Sequence, residues 1–208
     1  MCTKRTFKFF LQEQGEKSMG FSNKSDGKRK AIVELCYKCY VERGIENTSV
    51  RDFCREGNLN PNTLYYYFLD KDAILFECIN FGYGKLEEAM CNVLYCATPE
   101  MMIKKLKDIW IEFSPEIRFL CQAVSSPSYN SKREYQYQKL ISFYDYFGIR
   151  LAHRLNCPYE IISARVREIF MLLTYLCSCG SEDILRSSCI NLFTELIAAA
   201  SDHSTEPN

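Results

Sequence analysis

At 208 residues the chain is long enough for one or two domains with a sizeable buried core. Its Lys/Arg and Asp/Glu residues balance to a net charge of zero. That excludes a protein that grips a polyelectrolyte with its whole surface, so any nucleic-acid site must be local. Apolar residues make up 47% and aromatics 14%, as in a globular protein. The 12 cysteines follow no secretory leader, since Phe9, Phe10 and Leu11 form too short an apolar run for a leader or a membrane span. A reducing cytoplasm is therefore expected, with most thiols acting as small core residues.

Residues 1–27 are polar and, through Lys30, carry eight Lys/Arg against three Asp/Glu. They are expected to form a flexible basic arm. It is a DNA-phosphate contact, or a mobile tail, or residues upstream of a true start at Met19. The first helix is expected over about 28–43, with Ile32, Leu35, Cys36, Cys39 and Tyr40 on one stripe and Gly44 as its stop. Thr48 or Ser49 caps the second, and Ser49 with Asp52 has capping-box spacing. Its inner face is Val50, Phe53 and Cys54. A turn over 57–60 follows, in which Asn58 suits a left-handed backbone. Asn60 then caps a third helix with Pro61 at its first position. There Leu64 and Phe68 point inward at i, i+4, while Asn62, Tyr65 and Tyr66 share the opposite side.

Asp70-Lys71-Asp72 opens a long fourth helix to about residue 95. Thr98-Pro99 opens a fifth to about 113, and Ser114-Pro115 a sixth to about 124. A loop is expected over 125–130, a long helix over about 132–155, another from Pro158 to Gly180, and a last one over about 182–200 with a polar tail to 208. The stretch 169–176, IFMLLTYL, is apolar almost all round, so it is expected to be covered on more than one side.

These residues resemble the TetR family of bacterial transcription regulators. The likeness covers about residues 32–75 and rests on Glu42-Arg43-Gly44, on Thr48-Ser49-Val50 at the second helix, on the run Thr63-Leu64-Tyr65-Tyr66-Tyr67-Phe68, and on Lys71. Several offsets agree at once, which makes the signal specific. The resemblance implies an all-α protein of about nine helices. A three-helix helix-turn-helix DNA-binding head at 28–75 would stand on a larger effector-binding and dimerisation body at 76–200.

It also implies a DNA-contact set of Ser49, Asn62, Thr63, Tyr65, Tyr66, Tyr67 and Lys71. Asn62 can read an adenine edge, and Tyr and Thr hydroxyls can donate to phosphate. This sequence departs from the family's pattern at Gly57-Asn58 in the turn, at Asn60, at Asn62 and at Tyr67. The fold tolerates these changes, but they alter the reading surface, so no operator sequence can be borrowed. For the body, Trp110, Phe113, Tyr144, Phe147 and Tyr175 are candidates to line an effector pocket, although core packing accounts for each singly.

The expected function is a dimeric, ligand-responsive DNA-binding regulator of a bacterial cytoplasm. It would be a repressor released from a palindromic operator by a small molecule, apolar or aromatic in character. The homodimer would form through the last two helices. The alternative is the same scaffold acting through a protein partner. No enzyme chemistry, cofactor or metal is expected, because His153 and His203 lack metal-ligand spacing. The pair Cys36 and Cys39 falls on the apolar stripe of the first helix, which favours packing over redox work, while Cys177 and Cys179 are expected near a helix end, where a thiol is exposed.

Overall fold

The computed structural model describes residues 23–126 and 133–203. Among these it contains nine helices and no strand, which is the all-α architecture expected. They are α1 (Asn23–Arg43), α2 (Val50–Gly57), α3 (Pro61–Tyr67), α4 (Lys71–Val93), α5 (Pro99–Glu112), α6 (Ser114–Ser125), α7 (Arg133–Leu155), α8 (Tyr159–Cys179) and α9 (Glu182–His203). The expected arm lies outside the described residues up to residue 22. From Asn23 the chain is already helical, so α1 starts five residues before the expected 28. Gly27 within it costs the helix only about 1 kcal/mol relative to alanine, and Arg29 anchors this first half through Glu77 of α4 at 2.8 Å. The expected loop beyond Ser126 and the last residues of the tail fall outside the described residues, and α9 runs to His203 rather than about 200.

Short polar signals set the helix starts. The Ser49 hydroxyl accepts from the Asp52 amide at 3.3 Å, and the Asp52 carboxylate accepts from the Ser49 amide at 2.8 Å, which completes the capping box. Thr48, the other candidate cap, is buried and donates its hydroxyl to the Gly44 carbonyl at 2.6 Å. Asn60, Asp70 and Thr98 cap α3, α4 and α5 through their side chains. Gly57 is the last residue of α2 and has no room for a side chain, because a Cβ there would overlap Cδ2 of Leu35. The left-handed residue is Asn58 at φ 47°.

The core is continuous from head to body. Tyr40 of α1 meets Phe53 of α2 edge-on at 5.1 Å and stacks on Phe119 of α6 at 5.8 Å. Tyr37 meets Phe119 at 5.6 Å and Phe81 of α4 at 5.1 Å. Buried rings such as these contribute about 1.5–3 kcal/mol each. Deeper in the body Phe170 of α8 is the hub, with Trp110, Tyr144 and Phe147 at 5.3, 5.2 and 5.2 Å.

Candidate DNA-binding surface

Helix α3 is only seven residues long, and its orientation is fixed from below. Leu64 and Phe68 are 0% and 3% exposed, so the helix is pinned in the core at its middle and at its C-terminal cap. The i, i+4 spacing that buries them turns Asn62, Tyr65 and Tyr66 outward, with the two tyrosines 51% and 70% exposed. Thr63 and Tyr67 sit half-buried on the flanks, and the Tyr67 ring packs edge-on against Tyr66 at 4.9 Å. One hydroxyl-bearing ring thus braces the next.

Lys71 and Ser49 are placed differently from the outward residues of α3. Lys71 is half-buried at the start of α4, and its ammonium lies 3.5 Å from the Ile45 carbonyl in the α1–α2 loop. Ser49 is exposed, yet its hydroxyl donates to Asp52 Oδ2 at 2.6 Å. That hydrogen bond, together with the backbone amide of Ser49, holds the Asp52 carboxyl below its usual range. Arg43 closes the other side of α2 through hydrogen bonding to Glu56, and the same guanidinium lies 3.8 Å from the Asp52 carboxylate. The start of α2 is therefore rigid, and its charges largely cancel.

Two residues near this surface escaped the sequence reading. Leu69 is 87% exposed directly after the Phe68 anchor, an apolar side chain that no stripe needed. Arg29 places its guanidinium 5.0 Å over the Phe68 ring while holding Glu77, a contact across 48 residues that no local pattern could reveal.

The five pocket candidates do not come together as one lining. Trp110, Tyr144 and Phe147 are 3%, 2% and 2% exposed and close on Phe170, which fills the space between them. Phe113 is half-buried near the Lys85 ammonium at 5.8 Å. Tyr175 is 65% exposed, because its place on α8 turns it away from the buried Leu173 and Cys177. The cysteine expectations divide. Cys36 and Cys39 are buried in the head, and burial pushes the Cys36 thiol up to about 12. Cys179 is exposed, but Cys177 lies wholly buried inside α8, against the expectation of exposure.

Comparison with known proteins bears on this geometry. Residues 32–78 match the sequence model of the family described as bacterial regulatory proteins, tetR family. The uncharacterized HTH-type transcriptional regulator YuxN of Bacillus subtilis is 30% identical over 66 residues, 32% of this chain and 23% of that protein. An HTH-type transcriptional regulator of Staphylococcus aureus, SAOUHSC_02897, is 28% identical over 121 residues, 56% of this chain and 64% of that one. The match thus spans under two thirds of either relative.

Solved structures extend the likeness to the body. The TetR family regulator PfmR from Thermus thermophilus superposes with a TM-score of 0.55 at 19% identity, over 80% of this chain and 97% of its own. A TetR family regulator from Cytophaga hutchinsonii does so with a TM-score of 0.60 at 15% identity, over 90% and 100%. At such identities these likenesses speak for the fold alone. Residues 32–78 thus carry the N-terminal domain described as bacterial regulatory proteins, tetR family, and the described chain shares the fold of solved TetR family regulators.

Proposed function

We propose that the chain is a homodimeric transcriptional regulator that binds a palindromic DNA operator through α3 and is released from it by a small molecule, most simply as a repressor in a bacterial cytoplasm. The observation that carries this reading is the division of α3, whose two anchors are buried while Asn62, Tyr65 and Tyr66 face outward to meet a groove. Asn62 can bond an adenine edge, and the tyrosines can donate to phosphate or pack on sugar. From Lys28 to Lys71 there are eight basic and six acidic residues, so a modest salt dependence is expected from a few phosphate contacts per head. No helix among the described residues is long and apolar enough to cross a membrane.

The outer face of α8 and α9 supports dimerisation. Leu172, Leu192 and Ala199 line a shallow groove there, with Arg165, Glu168 and Glu195 at its rim, and Tyr175 stands one turn beyond Leu172. An apolar strip edged by both signs of charge is self-complementary under a two-fold axis. Two copies so joined would place two heads on half-sites about one turn of DNA, or a small multiple, apart.

The test is fluorescence anisotropy of the purified protein on duplexes tiled across the DNA flanking its own gene, at two salt concentrations. Tight, salt-sensitive binding to one palindromic tile is expected. Weak, equal binding to every tile would overturn operator recognition there and favour a scaffold that works through a protein partner.

A further inference from the structure

A cluster of polar groups lies between α4 and α7, away from the DNA-facing surface. Gln136 is 0% exposed, and neither its amide nitrogen nor its amide oxygen has a partner among the described residues. One turn along α7, Lys139 is 9% exposed. Its ammonium makes one hydrogen bond, to Oδ1 of Asn80, and lies 5.1 Å from the centroid of the Tyr83 ring. The Tyr83 hydroxyl is itself buried without a partner. Asn80 and Tyr83 are three residues apart on α4, as Gln136 and Lys139 are on α7, so one turn of each helix contributes to the seam.

These groups are mostly donors. An ammonium has three N–H bonds, an amide two and a phenol one, and Asn80 accounts for a single one of them. The carboxylates that act on Lys139 are Glu87 and Glu77. Glu77 is engaged by Arg29 at 2.8 Å, and burial raises the Glu87 carboxyl above its usual range. Among the described residues neither lies within ion-pair distance of Lys139. Burial accordingly pulls the Lys139 ammonium down to about 8. Buried charges and amides in native proteins ordinarily have partners, and among the described residues Lys139 has only the Asn80 hydrogen bond and the Tyr83 ring, and the Gln136 amide has none.

We propose that the α4–α7 seam binds a small organic carboxylate, its oxygens held by the Lys139 ammonium, the Gln136 amide and the Tyr83 hydroxyl. One buried cation matches one negative charge, which favours a carboxylate over a doubly charged phosphate. Tyr83 and Phe143, with ring centroids 6.4 Å apart, offer an aromatic wall for the carbon skeleton. A hollow of about 300 Å³, lined by Asn80 together with Arg29, Lys30, Asp26 and Glu77, adjoins the seam on the α1 side. The proposal rests on the ligand-responsive reading above and gives that ligand a charge, in place of the apolar molecule expected from the sequence.

The seam also has a path to the head. Asn80 stands one turn from Glu77 on α4, Glu77 holds Arg29, and Arg29 lies over the ring of Phe68 at the end of α3. A carboxylate that accepts the Lys139 N–H now given to Asn80 perturbs the first contact of that chain.

The test is isothermal titration of benzoate, butyrate and phenylacetate into the full chain without DNA, with benzamide as the neutral counterpart of benzoate. Failure of DNA recognition therefore leaves this result untouched, and failure here leaves operator binding untouched. At least one carboxylate should bind, benzamide should not, and Lys139→Met and Gln136→Leu should each weaken binding roughly tenfold or more, as loss of a charge-assisted or buried hydrogen bond does. No binding of any of the three, equal binding of benzamide, or undiminished binding by a folded Lys139→Met protein would each overturn the proposal. The benzoate–benzamide comparison uses the parent chain, so it decides the matter even if a variant does not fold.

Discussion

The guanidinium of Arg29 lies 5.0 Å over the ring of Phe68, so the first helix of the head holds the last anchor of α3 from outside. The same guanidinium pairs with Glu77 of α4 at 2.8 Å, and one side chain thereby joins three helices. Both groups of the ion pair are partly exposed, which limits its contribution, and the ring contact adds a similar amount. Arg29→Ala should lower stability by about 1 kcal/mol in urea unfolding. It should weaken operator binding severalfold, because α3 loses a constraint. Unchanged affinity in a folded variant would show that Phe68 needs no such brace.

Tyr65→Ala tests the reading face directly. The side chain is 51% exposed and stands outside the core, so stability should stay within about 0.5 kcal/mol of the parent. Operator affinity should fall by roughly 1–3 kcal/mol at fixed salt. Tyr65→Phe separates the hydroxyl from the ring: an intermediate loss assigns part of the contact to a phosphate or base hydrogen bond. Anisotropy on the operator duplex reads both, and parental affinity in the alanine variant would remove α3 from the interface.

The head was legible in the sequence because its signals are local. Ser49 with Asp52, Asn60 before Pro61, and Leu64 with Phe68 each span a single turn, and each forms as the spacing predicts. The likeness over about residues 32–75 then pointed to the TetR family. What the sequence could not show is side-chain geometry between distant helices. Arg29 reaching Phe68 and Lys139 reaching Asn80 depend on how α4 packs against its neighbours, and no periodicity encodes that. The pocket candidates show the same limit, because an aromatic stripe reads alike whether it lines a cavity or, as with Trp110, Tyr144 and Phe147, closes on Phe170.

Two substitutions at the edges of α2 separate capping from packing. Ser49→Ala removes the hydroxyl that satisfies the Asp52 amide, and should cost about 1 kcal/mol. Gly57→Ala brings a Cβ into overlap with Leu35 Cδ2 and within 3.0 Å of the Leu59 side chain, and should cost about 1–3 kcal/mol through overpacking. Chemical unfolding with the urea slope held constant checks the order. A smaller effect at Gly57 than at Ser49 would mean that Leu35 and Leu59 shift readily.

Dimerisation through α8 and α9 predicts that Leu172→Glu separates the copies. The side chain is 44% exposed and lines the groove between the two helices, so a carboxylate there leaves the isolated chain intact. Across a two-fold axis it places a charge in an apolar strip from each side. Sedimentation should report a dimer for the parent and a monomer for the variant, and operator affinity should fall with it. A dimer that survives the substitution would put the interface elsewhere.

The dependence of stability on pH isolates Lys139. Its folded-state value of about 8 lies below the ordinary 10.5, so between the two the unfolded chain holds more protons and stability rises with pH. The buried thiols oppose this. Burial pushes Cys177 and Cys189 from 9.0 up to about 12, so their contribution is complete below 9.0 and is lost as the unfolded thiols ionise above it. The parent should therefore be most stable between about pH 8 and pH 9 and lose stability steadily beyond, under reducing conditions. In Lys139→Met the rise disappears and the thiol-driven fall remains. The variant's advantage over the parent should be greatest below about pH 8, on the order of 3 kcal/mol before allowing for the lost Asn80 contact, and should shrink towards pH 10. Urea unfolding of both proteins across this range measures the difference. A difference that stays constant would mean that the fold holds the Lys139 ammonium without penalty, as it would if a counter-ion were already in place.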